Sequence, residues 1–185
     1  MLLTNRITII KNIMKKWTID PAHSEIAFKV KHLMISTVRG VFNTFIGSIE
    51  AADDTLDNGT INFSADVNSI ETRHPDRNGH LLGPDFFDAQ NFPKITFTSN
   101  SVKRDGNELN IKGDLTIKGV TKEVQLKAVI NGSNTGMEGE KVTGFDITGK
   151  INRKDFGLVW NVVLETGGVL VGEEVEIEIF AEVKE

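Results

Sequence analysis

Three polar residues near the start of the chain have the types found in a hydrolytic triad. Asp20, His23 and Ser24 lie close together in sequence, and Pro21 fixes the direction of the chain between them. A nucleophilic serine needs a histidine base aimed at its hydroxyl, a carboxylate behind that histidine and donors for the oxyanion. Adjacent side chains on an extended segment diverge, so contiguity alone does not provide this geometry. We therefore expect a hydrogen-bonded polar plug rather than a catalytic site.

A second group of residues has the types that bind divalent metals. His74, Asp76 and His80 supply imidazole and carboxylate ligands. Pro75 and Gly79 bend the segment, and no third imidazole stands nearby in sequence. The chain has no cysteine, which excludes disulfides, thiolate nucleophiles and zinc-thiolate sites. We predict no metal site and no cofactor.

Two arginines are candidates for binding an anionic group. A guanidinium matches the geometry of a phosphate or a carboxylate, so Arg77 and Arg153 could orient a lipid head group. The alternative is a structural pair with a carboxylate, such as Arg153 with Asp155 or Asp85.

His32 is the remaining candidate with titratable chemistry. It shares the face of a predicted strand with Phe28 and Val30, so it can contact a ligand or lie buried with a hydrogen-bond partner. For an enzyme acting on a bound lipid, His32 with Asp155 is the pair to test.

Composition excludes several classes of function. The chain has 185 residues, of which 39% are hydrophobic, enough for one domain with an ordinary core. With 21 Lys+Arg against 26 Asp+Glu, the formal net charge of -5 argues against general affinity for nucleic acid or an anionic membrane surface. No run of ~18 uninterrupted apolar residues predicts a membrane-spanning helix.

Alternating apolar and polar residues predict eight strands. In the last, Val175, Ile177 and Ile179 oppose glutamates, and between the fifth and sixth strands Lys118-Gly119 suits a tight hairpin. The predicted strands span residues 24–32, 37–49, 61–67, 95–102, 109–117, 124–130, 142–151 and 175–183. Short connections and little helix favour an all-β fold, a closed eight-stranded antiparallel barrel, with a sandwich as the alternative. At eight strands a barrel interior can be filled or can hold one small ligand.

One segment, between the third and fourth predicted strands, lacks the alternating pattern of apolar and polar residues. Prolines and glycines interrupt residues 71–94, and Asp76 and Asp85 are placed to cap two short helices. The segment is rich in large apolar residues: Leu81, Leu82, Phe86, Phe87 and Phe92. We expect this segment to lie across a barrel mouth or flank. At least one of Phe86 and Phe87 should project toward the mouth or toward a partner. A homodimer through this flank is one such arrangement.

Six ordered blocks closely resemble the YceI-like family of lipid-binding β-barrels. They are WTIDPAHSEIAFKVKH, VRGVFNTFIGSIE, SADVNSIETRHPDRNGHL, PDFFDAQNFPKITF, GDLTIKGVTKEVQL and INRKDFGLVWNVVLETGGVLVGEEVEI, and together they cover nearly all of residues 17–184. The chain departs from the family at one point. Relatives commonly read Arg-Asp-x-His-Leu-Arg/Lys-Ser, whereas this chain reads RNGHLLG over residues 77–83.

The resemblance implies an elongated, lipocalin-like barrel that binds and sequesters or carries a long-chain isoprenoid or related lipid without catalysis. The residues expected to bind the ligand are Phe28, His32, Phe42, Arg77, His80, Phe86, Phe87, Phe97, Arg153, Phe156 and Trp160. Two alternatives stay open, a lipid-modifying isomerase or hydrolase and a stress-related interaction module with a filled interior.

The N-terminus bears on domain bounds and on compartment. Residues 1–13 are interrupted by Asn5 and Arg6 and are followed by no small-x-small cleavage site, so a secretory signal is not expected. We expect residues 1–13 to be an extension, disordered or upstream of a true start at Met14, and residues 14–185 to form the barrel domain. The predicted compartment is the cytoplasm, with the periplasm as the alternative.

Overall fold

The computed structural model describes residues 14–165 and 167–185 as strands with one α-helix. The strands are β1 (Lys15–Ile19), β2 (Glu25–His32), β3 (Ser36–Phe42), β4 (Phe45–Ala51), β5 (Thr60–Asp66), β6 (Ile70–Glu71), β7 (Lys94–Asp105), β8 (Glu108–Ile117), β9 (Val120–Thr135), β10 (Lys141–Asn152) and β11 (Val171–Lys184). The helix is α1 (Pro75–Leu82). Nowhere in the described residues is there a helix with the length and apolarity needed to cross a bilayer. The predicted extension at residues 1–13 lies outside the described residues.

The eleven segments form a closed antiparallel barrel of eight strands, because three of the barrel strands are each broken into two. β1 and β2 both pair with β11, β3 and β4 pair with β2 and β1, and β5 and β6 pair with β4 and β3. β7 to β11 then follow as a meander. The predicted eight-stranded barrel is confirmed, and the sandwich alternative is wrong because the pairing of β1 with β11 closes the sheet.

Short polar residues produce two of the three breaks. Asp20 accepts a hydrogen bond from the Ala22 N–H at 3.0 Å and starts a 3₁₀ turn between β1 and β2. Asp66 accepts from the Asn68 N–H at 3.0 Å and starts another between β5 and β6. In each case a side chain satisfies a donor that the interrupted ladder leaves free. The predicted continuous strand over 37–49 is interrupted at Asn43, which bonds the Ser69 carbonyl with its backbone N–H.

The hairpin predicted at Lys118-Gly119 is present. Ile117 pairs with Val120, and both turn residues have positive φ, 50° for Lys118 and 74° for Gly119. Two left-handed residues give a turn whose twist matches that of the flanking strands.

The segment between β6 and β7 contains one helix, so the prediction of two is wrong. His74 rather than Asp76 caps α1, its ring accepting from the Arg77 N–H at 3.4 Å. Beyond the helix the chain folds back on it through turns, with the Phe87 N–H donating to the Leu81 carbonyl at 3.0 Å and the Ala89 N–H to Leu82 at 2.9 Å. These bonds to the end of α1 take the place of a second helix at Asp85.

The two ends of the barrel differ. One end, which we call the packed end, holds the β4–β5, β7–β8 and β9–β10 turns, and Trp17, Leu56 and Val102 fill it, each less than 5% exposed. The other end, which we call the α1 end, holds the turn over residues 33–35, α1 with the segment that follows it, the Lys118-Gly119 turn and the long connection between β10 and β11.

Candidate ligand-binding cavity

A cavity of about 250 Å³ lies inside the barrel, and nearly all of its lining is apolar. Trp17, Leu56 and Val102 do not line it, so it is displaced toward the α1 end. The lining residues of β11 include five in strict alternation, Val175, Ile177, Ile179, Ala181 and Val183. These are the residues whose period-2 pattern indicated a buried face, because successive side chains of a strand point to opposite sides.

Several inward-facing aliphatic residues are only half-buried although the sheet surrounds them. They lie on β9, β10 and β11: Val124, Leu126, Ile147, Ile151, Val175, Ile177 and Ile179. In a filled interior such residues are in contact on all sides and lose nearly all accessible surface. Their remaining exposure indicates that space next to this wall is not filled by the chain's own side chains.

Five of the predicted aromatic residues lining the cavity come from separate elements or turns. Phe28 lies on β2, Phe42 on β3 and Phe97 on β7, and Phe28 packs on Phe42 at a ring distance of 5.7 Å. Phe87 meets Phe42 edge-on at 6.0 Å. Phe156 is 1% exposed in the 3₁₀ turn after β10.

Of the two directions expected for Phe86 or Phe87, toward the mouth or toward a partner, the second is wrong, because both rings face the interior of the barrel. Phe86 is 6% and Phe87 9% exposed, and both line the cavity. The two residues lie in turns rather than in a helix, so the rule that successive helical side chains diverge does not apply to them. A homodimer stays a prediction, for which these rings offer little exposed surface.

Arg153 is the one ionisable residue among the described residues that line the cavity, and it is 4% exposed. Its guanidinium donates to the carbonyls of Gly172 at 2.8 Å, Trp160 at 3.0 Å and Val171 at 3.3 Å, and also to that of Leu158. Burial lowers the pKa of this guanidinium. The alternative of a pair with Asp155 or Asp85 is wrong, because within residues 14–165 and 167–185 Arg153 bonds backbone carbonyls and forms no ion pair.

His80 and Trp160 lie against the cavity wall from outside. The imidazole meets the rings of Trp160 at 4.7 Å and Phe86 at 5.0 Å edge-on, and its Nε2 lies 3.1 Å from Asp85 Oδ2. Neither His80 nor Trp160 is among the residues that line the cavity. Both rings pack against Phe86, which does line the cavity.

Arg77 and His32 also lie away from the cavity lining. Arg77 donates to the Thr72 hydroxyl at 2.8 Å and to the Thr72 carbonyl at 2.5 Å, which fixes the chain before α1. His32 is half-buried at the end of β2, where it pairs with Ser36 and Val171, and Asp155 is exposed. The structure therefore does not bring His32 and Asp155 together on the cavity.

One part of the departure from the family pattern, Asn78 in place of aspartate, has a structural explanation. The Asn78 amide oxygen accepts from the Thr72 N–H at 2.9 Å and from its hydroxyl at 2.6 Å, and the amide nitrogen donates to Glu71 at 3.1 Å. An aspartate could accept the first two bonds but could not donate the third unless protonated.

Asp20, His23 and Ser24 are hydrogen-bonded, as expected, but they lie at the break between β1 and β2 and do not plug a barrel end, since the His23 side chain is 63% exposed. The Ser24 hydroxyl accepts from the Glu182 N–H at 2.9 Å and so bonds β11 instead of the imidazole. His23 Nδ1 lies 2.9 Å from Asp20 Oδ2, which also pairs with Lys184 Nζ at 2.6 Å. The hydrogen bonds with Lys184 and then His23 hold the pKa of Asp20 far below its ordinary value, and the bond with Asp20 raises the pKa of His23.

The same strand break holds the one group of metal-ligand type found in the described residues. Asp20, His23 and Glu182 place one ligand atom each within 4.8 Å of one another. The Lys184 ammonium already supplies a positive charge to Asp20, so the group resembles an ion-pair network more than a metal site. His74, Asp76 and His80 are not brought together in such a group.

Comparisons with known proteins agree with this architecture. The sequence model of the YceI-like domain matches residues 17–183. The chain belongs to the YceI-like family. A UPF0312 protein of Staphylococcus aureus strain MSSA476 is 42% identical to this YceI-like chain over an alignment of 172 residues that covers 91% of this chain and 97% of that protein.

Solved barrels have the same fold as this YceI-like protein. BcnA of Burkholderia cenocepacia superposes with a TM-score of 0.77 at 25% identity, over 89% of this chain and 98% of its own. The YCEI protein of Campylobacter jejuni gives 0.71 at 32% identity, over 90% and 95%. A domain from Saccharophagus degradans described as polyisoprenoid binding gives 0.61 at 15% identity, over 91% and 97%, a likeness of fold alone.

The set of residues predicted to bind a ligand omitted most of the cavity wall. Seven of its members line the cavity: Phe28, Phe42, Phe86, Phe87, Phe97, Arg153 and Phe156. The aliphatic wall of β9 to β11 was left out, although its alternation in sequence marks the inward face. Asn161 does not line the cavity, but it fixes the connection beside it and was not predicted from the sequence. Its side chain bonds the Val171 N–H at 3.0 Å and carbonyl at 2.7 Å, and no local pattern marks that long-range contact.

Proposed function

We propose that this YceI-like protein binds and sequesters or carries a long-chain isoprenoid or related lipid inside the barrel without catalysis. The observation that carries the proposal is the apolar cavity in a closed sheet, with half-buried aliphatic residues along one wall. Each methylene transferred from water to such a wall contributes ~0.8 kcal/mol, so about ten give roughly 8 kcal/mol before the cost of association.

The dimensions of the cavity favour a slender ligand. Its volume of about 250 Å³ lies just below the roughly 300–1,000 Å³ of common ligand pockets. A single extended chain fits such a space better than a bulky polycyclic ligand. We infer that a long isoprenoid enters with part of its length and that the half-buried residues of β9 to β11 move apart to accommodate it.

The chemistry of the lining favours carriage over turnover. An isomerase or hydrolase needs converging titratable groups at its substrate, and Arg153 is the only ionisable residue among the described residues of the lining. Its hydrogen bonds go to backbone carbonyls. The hollow interior likewise supports a carrier over a filled barrel that acts through its surface alone. The cytoplasmic location stays a prediction.

The proposal is tested by identifying the cargo and then blocking the cavity. Organic extraction of natively purified protein followed by mass spectrometry should yield a recurrent apolar chain. Ile177→Phe adds volume at a half-buried position of the wall and should lower the amount of bound lipid several-fold. Ile46→Phe makes the same change at a position that is 71% exposed on β4, and lipid content should be retained.

Two results would count against carriage. One is the absence of any extracted lipid together with failure to bind an added polyprenol. The other is equal lipid content in the Ile177→Phe and Ile46→Phe proteins when both unfold at the wild-type temperature.

A further inference from the structure

Five large apolar side chains are exposed at the α1 end of the barrel. Met34 and Ile35 occupy the turn between β2 and β3, and Val159, Val162 and Val163 lie in the connection between β10 and β11. Ile35 is 84% and Val163 80% exposed. We call these five residues the apolar rim. Grouped exposed apolar residues of this kind mark surfaces for a protein or a membrane.

The two loops that carry the apolar rim are joined by backbone hydrogen bonds. The Leu33 N–H donates to the Leu170 carbonyl at 2.8 Å, and the Leu170 N–H donates to the Val162 carbonyl at 3.0 Å. Val163 pairs with Val169 in an isolated antiparallel bridge. The apolar rim is therefore one platform rather than two unrelated loops.

This platform is continuous with the cavity. Leu158 and Val171, at the two ends of the connection, both line the cavity. Arg153 binds the carbonyls of both, and so fixes the base of the connection to the barrel wall. The exposed residues thus border the end toward which the cavity is displaced.

The turn at the apolar rim keeps large residues where the backbone favours glycine or asparagine. Leu33 has φ of 52° and Met34 φ of 61°, and left-handed backbone costs roughly 1 kcal/mol or more for such residues. Neither this turn nor residues 158–164 include a charged side chain. The first charged residue after them is Glu165, which is exposed further along the same connection. Since bulky apolar residues are kept in this turn despite the backbone strain, we infer that their exposed side chains contact another surface.

We propose that the apolar rim docks on the surface of a lipid bilayer and exchanges cargo with it directly. This inference rests on the proposed function. The apolar residues of the rim can enter the boundary between head groups and acyl chains, and the indole of Trp160 behind them suits the same zone. A lipid cargo that moves from the acyl layer into the cavity beside this platform exposes few of its methylenes to water. Passage through bulk water would instead cost ~0.8 kcal/mol for each exposed methylene. Because the net charge of the protein is -5, an anionic bilayer would repel it, and a zwitterionic bilayer is the better match.

The test uses flotation of the full chain with phosphatidylcholine vesicles. The double variant Ile35→Glu/Val163→Glu should lose vesicle binding about tenfold or more, because charged side chains replace apolar ones at the contact. The matched control Ile46→Glu/Met137→Glu places the same charges at exposed apolar positions away from the α1 end and should bind as wild type. Transfer of a fluorescent polyprenol from vesicles should slow in the first variant alone.

Equal vesicle binding by the two double variants would overturn the inference. So would a wild-type dimer that the Ile35→Glu/Val163→Glu change dissociates without any vesicle binding, since the occupant would then be a second copy. A separate measurement distinguishes lipid carriage from membrane docking: the affinity of the wild-type protein for the polyprenol added from ethanol, without vesicles. If that affinity is absent while rim-dependent vesicle binding persists, cargo carriage fails and docking stands.

Discussion

At the scale of single residues, Arg153 contributes mainly by positioning the chain. A buried guanidinium is costly to desolvate, and here it is retained because it bonds four carbonyls from the ends of one connection. Leu158 and Trp160 belong to no strand, and Gly172 lies where the register between β11 and β2 shifts, so the guanidinium supplies donors that a regular ladder does not. The side chain therefore holds in place the base of the apolar rim.

Replacement of Arg153 should destabilise the fold. Arg153→Met removes the buried charge but leaves several carbonyls without donors, and we expect a loss of about 2–4 kcal/mol in the free energy of unfolding. Arg77→Met serves as the control, since Arg77 is more exposed and bonds only Thr72, and its loss should be about 1 kcal/mol. Urea denaturation of both proteins provides the measurement, and equal losses would show that the number of carbonyls bound does not govern the effect.

At the scale of elements, the Lys118-Gly119 hairpin supports the segment that folds back along α1. Lys118 Nζ donates to the Pro84 carbonyl at 2.7 Å, and Gly119 lies beneath Phe92. A Cβ on Gly119 would come within 2.6 Å of the Phe92 ring. The glycine is thus required both by its backbone angle and by the close approach of that ring.

Gly119→Ala and Gly106→Ala together separate these two requirements. Gly106 also has positive φ, 62°, but a Cβ there meets nothing within 4 Å. Gly106→Ala should cost about 1 kcal/mol from the backbone alone, and Gly119→Ala should cost at least about 1 kcal/mol more because Phe92 must shift. Thermal unfolding measures both, and matching losses would mean that the Phe92 ring moves aside freely.

At the scale of the whole molecule, closure of the barrel leaves one apolar interior that is packed at one end and hollow toward the other. Trp17, Leu56 and Val102 provide the solid part of the core. The hollow part lowers stability, because atoms lining a void lack contacts on one side. A ligand that fills it should restore those contacts.

Removal of the cargo should therefore lower the unfolding temperature. A ligand present at 100 times its Kd stabilises by ~2.7 kcal/mol, which corresponds to roughly 5–11 °C for a domain of this size. Calorimetry of the protein before and after delipidation, with mass spectrometry of each sample, measures the change. Addition of the extracted lipid should reverse it. An unchanged transition in a sample shown to have lost its lipid would argue that the cargo does not occupy the interior.

The amino-acid sequence by itself determined most of the strands and their inward faces, and it favoured a closed barrel over a sandwich. The pairing of β1 with β11 that closes the sheet joins opposite ends of the chain, so only the tertiary structure decided it. Alternation along β11 and the glycine of the Lys118-Gly119 turn are local patterns, and local patterns specify a strand face and a hairpin directly. The six blocks also predicted the family. The tertiary structure alone decided which carbonyls Arg153 binds, where Phe86 and Phe87 point and how much of the interior stays hollow, because each depends on residues far apart in the chain. It also brought the residue 33–35 turn against the β10–β11 connection, an adjacency created only when β2 pairs with β11.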